Sequence, residues 1–262
     1  MRCKKCNSKL APHDIWCTKC GYQSPVVRTE LSAMRSLKQS RKNLAGKITA
    51  LVPPMGFSII LGVIPIVALA FIFAQYLDND VDTSLRLILN LSIKSILISL
   101  FVPFILIPFA CINRKQNYEL SMSEVIKALK LYPKYFYFSI LNSIIISIFY
   151  LICFGFPGFA SDPILRLVYL ALINYLIAIA LPAPVLMERH QLSPFKALVK
   201  SYRHFGDLRW NIYFLALVLG LLNLLAFVLL IFPMLFTLPL ALYAIRDYEI
   251  KLEEFELLDY RI

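Results

Sequence analysis

Four cysteines within the first twenty residues are the side chains of this sequence best suited to do chemistry. They form two Cys-x-x-Cys pairs, and they are Cys3, Cys6, Cys17 and Cys20. Thiolates bind zinc in tetrahedral geometry, and a Cys-x-x-Cys turn presents two sulfurs together. The two pairs therefore predict one Zn²⁺ site with four thiolate ligands. Because these ligands leave no position for a catalytic water, we expect the zinc to be structural.

Other interpretations of these cysteines agree less well with the rest of the chain. Disulfides conflict with a cytoplasmic location, where thiols stay reduced. A thioredoxin-like site needs one Cys-x-x-Cys motif on a larger fold than twenty residues supply. His13 could replace one ligand, although an exposed loop histidine is the commoner case. We expect Trp16 and Tyr22 to form the apolar core of this head, and Gly21 to allow its second tight turn.

Outside the head, few side chains are suited to catalysis. Lys94 lies in an apolar stretch, close enough to its end for the side chain to reach water. Glu188, Arg189 and His190 stand together at the end of another apolar stretch, but no second group converges with them. The chain has no P-loop, no Gly-x-Ser-x-Gly and no His-Glu-x-x-His motif. We therefore predict no enzymatic activity and no cofactor other than zinc.

Composition determines which elements position these residues. Hydrophobic residues make up 59% of the 262 residues, and only 16% are charged, which is too little polar surface for a soluble domain. The apolar residues form blocks at 50–77, 87–112, 136–156, 165–187 and 210–245. Each block has at least the roughly 20 residues that a helix needs to cross hydrocarbon.

The predicted fold is an all-α polytopic membrane bundle of about six transmembrane helices, with a small zinc-ribbon knuckle at its N-terminus. The last apolar block is long enough for two helices if a tight turn at residues 231–232 precedes Pro233. Five spans, or a re-entrant last segment, remain open alternatives, because the C-terminal charges are mixed.

The basic residues predict which side of the membrane each loop faces. Residues 1–50 carry eleven lysines and arginines, whereas the loops at 78–82 and 157–163 carry none. This positive-inside pattern predicts that the N-terminus lies in the cytoplasm and that the chain spans the cytoplasmic (inner) membrane. Anionic headgroups of the inner leaflet account for the net charge of +11, so no specific nucleic acid is required as a partner.

Basic amphipathic segments precede three pairs of spans and form an internal repeat. The two best copies carry basic residues on one helical face, at Lys127, Lys130 and Lys134 and at Lys196, Lys200 and Arg203. Apolar residues share the opposite faces, at Val125, Leu129, Tyr132 and Phe136 and at Phe195, Leu198, Tyr202 and Phe205. A third, poorer copy covers residues 34–47. We expect these segments to lie on the inner leaflet, although packing on the bundle as ordinary loop helices is the alternative.

Local signals within the repeat predict helix starts, kinks and contacts. Ser121 with Glu124 forms a capping box, and Ser193 before Pro194 is an N-cap followed by proline. Prolines that predict kinks lie in the second helix of each pair, at Pro103, Pro108, Pro182, Pro184, Pro233 and Pro239. Polar residues that predict interhelical hydrogen bonds are Asn142, Ser143, Ser147, Asn174 and Asn223.

These features divide the chain into a zinc ribbon at 1–24, a basic amphipathic linker at 25–49, a transmembrane helical domain at 50–248 and an acidic cytoplasmic tail at 249–262.

The head resembles the short zinc ribbons of prokaryotic membrane proteins, through its cysteine spacing, Trp16 and Gly21. The remainder resembles the membrane domain of bacterial glycerophosphodiester phosphodiesterases and the related six-span stress-associated membrane proteins. The segment 193–198, Trp210 and the segment 239–249 carry this second resemblance. It implies no enzyme activity, because the catalytic barrel is absent.

Taken together, the sequence predicts a non-enzymatic integral membrane protein. Its zinc ribbon and basic helices would dock a cytoplasmic or membrane protein, or organise anionic lipids of the inner leaflet. The first alternative is a transporter or lipid-handling protein built on a proline-broken helix bundle. The second is a membrane enzyme that acts on lipid headgroups through Glu188, Arg189 and His190.

Overall fold

The structure is a computed structural model that describes residues 2–11, 14, 16–22, 32–45, 47–76, 84–114, 120–154, 163–204, 209–229 and 233–254. After the head, its helices are α1 (Ala33–Leu44), α2 (Ile48–Ser58), α3 (Ile64–Tyr76), α4 (Ser84–Arg114), α5 (Met122–Ala128), α6 (Tyr132–Phe154), α7 (Pro163–Ala180), α8 (Ala183–Arg189), α9 (Pro194–His204), α10 (Arg209–Val228) and α11 (Met234–Glu254). A π-helical turn, Ile59–Val63, joins α2 to α3, and a 3₁₀ turn, Leu129–Leu131, joins α5 to α6. The predicted all-α architecture is confirmed for the described residues.

Five helical stretches among the described residues are long and apolar enough to cross a membrane. They are Thr49–Phe73, Leu89–Asn113, Met122–Phe154, Pro163–Arg189 and Trp210–Val228. Each overlaps one predicted block. The third also includes the amphipathic segment at 122–131, and the fifth covers the first half of the last block. A new helix, α11, begins directly after Pro233, as predicted, while residues 231–232 lie outside the described residues. Its C-terminal half is charged, and it is not one of the five stretches.

The helices share one hydrophobic core, and their outer surface is apolar. The core runs from Leu44 to Leu252, and α4 packs along α6, α10 along α7, and α1 along α11. Large hydrophobic side chains nevertheless lie exposed on the outside, such as Ile164 at 70% and Leu167 at 67%. Exposure of so much apolar surface is unfavourable in water, whereas hydrocarbon solvates it. The packing therefore suits a multi-pass membrane protein.

The prolines act on the helices in different ways. Pro182 and Pro184 coincide with a break, since α7 ends at Ala180 and α8 begins at Ala183. By contrast, α4 and α11 continue through their internal prolines. A second local irregularity, the π-helical turn, contains Gly62, where an added Cβ would lie 2.6 Å from Cγ1 of Ile105 on α4. This glycine allows the two helices to approach closely.

The amphipathic helices begin where the sequence predicted. The N–H of Ser121 donates to Oε2 of Glu124 at 3.0 Å, which completes the capping box of α5. The next such helix, α9, begins at Pro194, and the hydroxyl of Ser193 accepts from the N–H of Lys196 at 3.5 Å as its N-cap. Val125 on α5 is fully buried. That face packs on the bundle, which agrees with the loop-helix alternative for this copy.

The second copy is oriented differently. On α9, Phe195 and Tyr202 from the predicted apolar face are 60% and 64% exposed. Lys200, from the predicted basic face, is only 6% exposed. The prediction that all three basic residues face outward was wrong for Lys200, because the small residues Ala197 and Ser201 bring that side of α9 against its neighbours.

The C-terminal helix continues past the predicted boundary at residue 248. It ends at Glu254, and Glu249 and Leu252 within it are buried. The first part of the predicted tail is therefore packed helix. Residues 255–262 lie outside the described residues.

Candidate metal centre

The head consists of two turns with the same backbone arrangement. In the first, the N–H of Asn7 donates to the carbonyl of Cys3 at 2.9 Å. In the second, the N–H of Gly21 donates to the carbonyl of Cys17 at 2.8 Å. Asn7 and Gly21 both adopt left-handed conformations, with φ of 58° and 65°. Asparagine and glycine tolerate this region best, so the sequence places the two permissive residues at equivalent positions.

These turns bring the four sulfurs together. All four lie within 4.8 Å of one another. Across the two turns, the sulfurs of Cys3 and Cys20 are 3.5 Å apart, as are those of Cys6 and Cys17. A tetrahedral site with metal–sulfur bonds of about 2.3 Å has sulfurs about 3.8 Å apart, so the arrangement fits one metal ion. His13, the alternative ligand, lies outside the described residues.

Ser8 also belongs to this site, although the sequence alone did not indicate it. Its hydroxyl lies 3.0 Å from the sulfurs of both Cys6 and Cys17. The contact with Ser8 is the main cause that lowers the pKa of each of these two thiols. The pKa of Cys17 is lowered to about 6. Desolvation by burial raises the pKa of Cys20 to about 12. A metal ion that binds here must therefore displace a proton from Cys20, so binding is favoured by higher pH.

The apolar core of the head differs in part from the prediction. Leu10 is 5% exposed and packs with the buried cysteines and Tyr22. Trp16, by contrast, is 46% exposed, so its predicted core role was wrong. Arg2 and Lys9 form an antiparallel bridge, and successive side chains of extended backbone alternate between faces. Lys9 therefore faces solvent and Leu10 faces the sulfurs.

A buried ion pair joins α6 to the end of α8. The ammonium of Lys134 donates to Oε1 of Glu188 at 3.2 Å and to the carbonyl of Met187 at 3.0 Å. The hydroxyl of Tyr135 donates to the same Oε1 at 3.0 Å. The side chain of Glu188 is fully buried, whereas Arg189 is exposed. The structure thus shows a second charged group beside Glu188, which could not be identified from the sequence. It also places Lys134 against the bundle and not on the predicted lipid-facing surface.

The ion pair satisfies the carboxylate of Glu188 with two donors from α6, and this geometry is typical of a structural anchor between helices. Lys94, the other charged candidate, lies with its ammonium 5.6 Å from the ring centre of Phe73 on α3, which is a cation–π distance. In both cases a charged side chain within or beside an apolar helix has a partner, which lowers the cost of its desolvation.

The predicted polar contacts between spans form in part. Hydroxyl pairs join α4 to α6, and Thr237 on α11 joins α10. The bonded pairs are Ser95 with Ser147 at 2.8 Å, Ser99 with Ser143 at 3.0 Å, and Thr237 with Asn223 at 3.0 Å. Asn142 instead donates to the carbonyl of Phe138 in its own helix. The amide nitrogen of Asn174 is buried without a hydrogen-bond partner among the described residues.

Two cavities adjoin near α9. The larger, of about 920 Å³, lies among α4, α6, α7 and α9 and is lined mainly by aliphatic and aromatic side chains. The smaller, of about 490 Å³, is lined by His190 and the basic residues of α9. The structure thus places His190 at a cavity wall.

Comparisons of the chain with protein-family models, with curated proteins and with solved structures find no match. The resemblances to zinc ribbons and to six-span membrane domains therefore stay predictions.

Proposed function

We propose that this chain is a non-enzymatic integral protein of the bacterial inner membrane, whose zinc-stabilised head docks a protein partner at the cytoplasmic face. The observation that carries the proposal is the closed set of four sulfurs within 4.8 Å of one another. Zinc prefers tetrahedral thiolate sites of this kind, and four protein ligands leave no open position for chemistry. Because the site is closed, we expect the head to bind a partner and not to catalyse a reaction.

The proposed topology has six spans, with the N-terminus in the cytoplasm. The apolar first half of α11 supports the sixth span, together with the hydrogen bond of Thr237 to Asn223 on α10. Three amphipathic helices, α1, α5 and α9, each stand before a long apolar helix. This arrangement supports three pseudo-repeat hairpins, with their basic amphipathic helices on the cytoplasmic side.

Reporter fusions test this topology. A fluorescent protein at the N-terminus should fold and fluoresce, while alkaline phosphatase inserted at residue 80 should be active, because it folds only outside the cytoplasm. Phosphatase inserted at residue 117 should be inactive. The reverse pattern would contradict the proposed orientation.

Crosslinking in native membranes tests the docking role. Wild-type protein and the Cys17→Ser variant should be crosslinked, purified under the same conditions and compared by quantitative mass spectrometry. We expect at least one membrane or cytoplasmic protein to be enriched with the wild type and depleted at least tenfold with the variant, since the variant cannot hold the metal. Equal enrichment of every protein would contradict docking through the head.

A second candidate function is lipid handling, which the apolar cavity among α4, α6, α7 and α9 favours. Its few polar lining groups, among them Ser139, Asn142 and Ser143, suit hydrocarbon better than a hydrated solute. Reconstitution into liposomes with a fluorescent phospholipid distinguishes the two functions. Lipid handling predicts transbilayer movement above that of empty liposomes, and docking predicts none.

A further inference from the structure

The smaller cavity has a strongly basic wall. Its charged and titratable lining residues are His190, Lys196, Lys200 and Arg203, and no carboxylate lines it among the described residues. Lys196, Lys200 and Arg203 recur at intervals of four and three along α9, which places them on one helical face. A cavity of this charge suits an anionic group of the size of a phosphate.

The basic cavity shares part of its lining with an apolar cavity. Phe195 and Val199 line both the basic cavity and the larger cavity of about 920 Å³. The larger volume is bounded by apolar side chains of α4, α6 and α7, among them Val102, Ile145 and Ile177. Phe195 and Val199 on α9 thus lie between a cationic cavity and an apolar cavity that suits hydrocarbon.

The position of α9 is set by buried contacts. Ala197 and Ser201 are fully buried, and the hydroxyl of Ser201 donates to the carbonyl of Ile179 on α7. These contacts fix the rotation of the helix, so that Phe195 and Tyr202 stay exposed beside the basic residues. Aromatic side chains next to cations are typical of the boundary between headgroups and acyl chains.

We propose that the two cavities form one binding site for an anionic phospholipid of the cytoplasmic leaflet. Its phosphate would lie among Lys196, Lys200 and Arg203, and an acyl chain would occupy the apolar cavity past Phe195. Basic pockets between transmembrane helices on the cytoplasmic side recognise lipid headgroups in this way. A soluble phosphate would leave the apolar cavity empty, whereas a phospholipid matches both parts. This site is independent of partner docking by the head.

The test measures lipid binding to the intact, zinc-loaded protein in a neutral detergent by native mass spectrometry. Phosphatidylglycerol and phosphatidylcholine with the same acyl chains are titrated in parallel. We expect phosphatidylglycerol to bind at least tenfold more tightly, because only its headgroup carries a net negative charge. Equal affinity for the two lipids would overturn the proposal.

Matched charge variants locate the headgroup. The double variant Lys196→Gln with Arg203→Gln removes two exposed cations from the cavity and keeps the buried Lys200. The control, Lys38→Gln with Arg41→Gln, removes two exposed cations from α1. We expect the first variant to lose at least tenfold in affinity for phosphatidylglycerol and the control less than twofold. An equal loss in both would show that surface charge alone binds the lipid, and would overturn the site.

A third comparison locates the acyl chain. Ile177→Trp adds bulk at the cavity wall, where the side chain is 43% exposed, and Leu167→Trp adds the same ring on α7 outside the lining, at 67% exposed. We expect only Ile177→Trp to weaken phosphatidylglycerol, by at least fivefold. Equal affinities in the two variants would overturn the apolar half of the site. Displacement of the lipid by equimolar glycerol 3-phosphate would overturn it as well, since a free headgroup would then suffice.

Discussion

The head and the helical body of this chain are stabilised by different means. Leu10 and two cysteines are the buried hydrophobic residues described in the head, while the body has one continuous core from Leu44 to Leu252. Ordering a residue costs about 1–2 kcal/mol of backbone entropy, so three buried side chains cannot order some twenty residues. We therefore expect the head to depend on a bound metal ion, and the body to depend on packing and on hydrocarbon. Each part should therefore unfold independently of the other.

Loss of one ligand gives the largest expected effect. Cys17→Ser should abolish zinc binding and unfold residues 2–22, because structural zinc supplies about 10–16 kcal/mol to folds of this kind. The body should stay inserted with an unchanged melting temperature. Elemental analysis measures the zinc, and limited proteolysis measures the order of the head. Cys153→Ser, at a buried cysteine of α6, is the control and should keep one zinc per chain. Normal zinc content in Cys17→Ser would disprove the centre.

Removal of the buried carboxylate should affect the body alone. Glu188→Ala removes the carboxylate that accepts from the ammonium of Lys134 and from the hydroxyl of Tyr135. We expect a loss of about 3 kcal/mol in the free energy of unfolding, at the lower end for a broken buried pair because Lys134 is partly exposed. Thermal unfolding in detergent measures it. Arg189→Ala, one residue along and exposed, should cost less than about 1 kcal/mol. A similar loss in both variants would contradict the anchor role, and zinc content should not change in either.

A smaller effect is expected where α1 meets the body. The hydroxyl of Ser40 donates to Oδ2 of Asp247 at 2.7 Å, and both side chains are buried. Ser40→Ala should cost about 2 kcal/mol, because the bond is to a charged acceptor. Hydrogen exchange should show faster exchange of the amides of α1 and unchanged exchange in α6. Lys38→Ala, on the exposed face of α1, is the control. Unchanged protection of α1 in Ser40→Ala would show that other contacts hold this helix.

The smallest expected effect lies within the head. Ser8→Ala should weaken zinc binding by about tenfold, as loss of a hydrogen bond to a metal ligand usually does. The hydroxyl lowers the pKa of Cys17, so its removal raises that pKa and increases competition from protons. The loss should therefore be larger at about pH 6 than at about pH 8. Competition with a chromogenic zinc chelator measures the affinity. Thr18→Ala, at an exposed residue of the second turn, should bind zinc normally, and equal losses would exclude a specific role for Ser8.

Features that depend on neighbours in sequence were predicted well. The capping box of Ser121 with Glu124, the start of α9 at Pro194 and the clustering of the four cysteines each involve residues less than twenty positions apart. Features that depend on distant residues were missed or misassigned. Lys134 was expected on the lipid-facing surface, because nothing in its own segment indicates that Glu188 lies beside it in the folded chain.

The sequence by itself determined the clustering of the four cysteines, the apolar helices and the sites where helices begin, because these follow from residue type and short-range spacing. Only the tertiary structure decided which face of α9 is buried, which charges pair, and that a basic cavity adjoins an apolar one. These outcomes depend on helix packing, and packing depends on side-chain shape across segments that the chain brings together only when it folds.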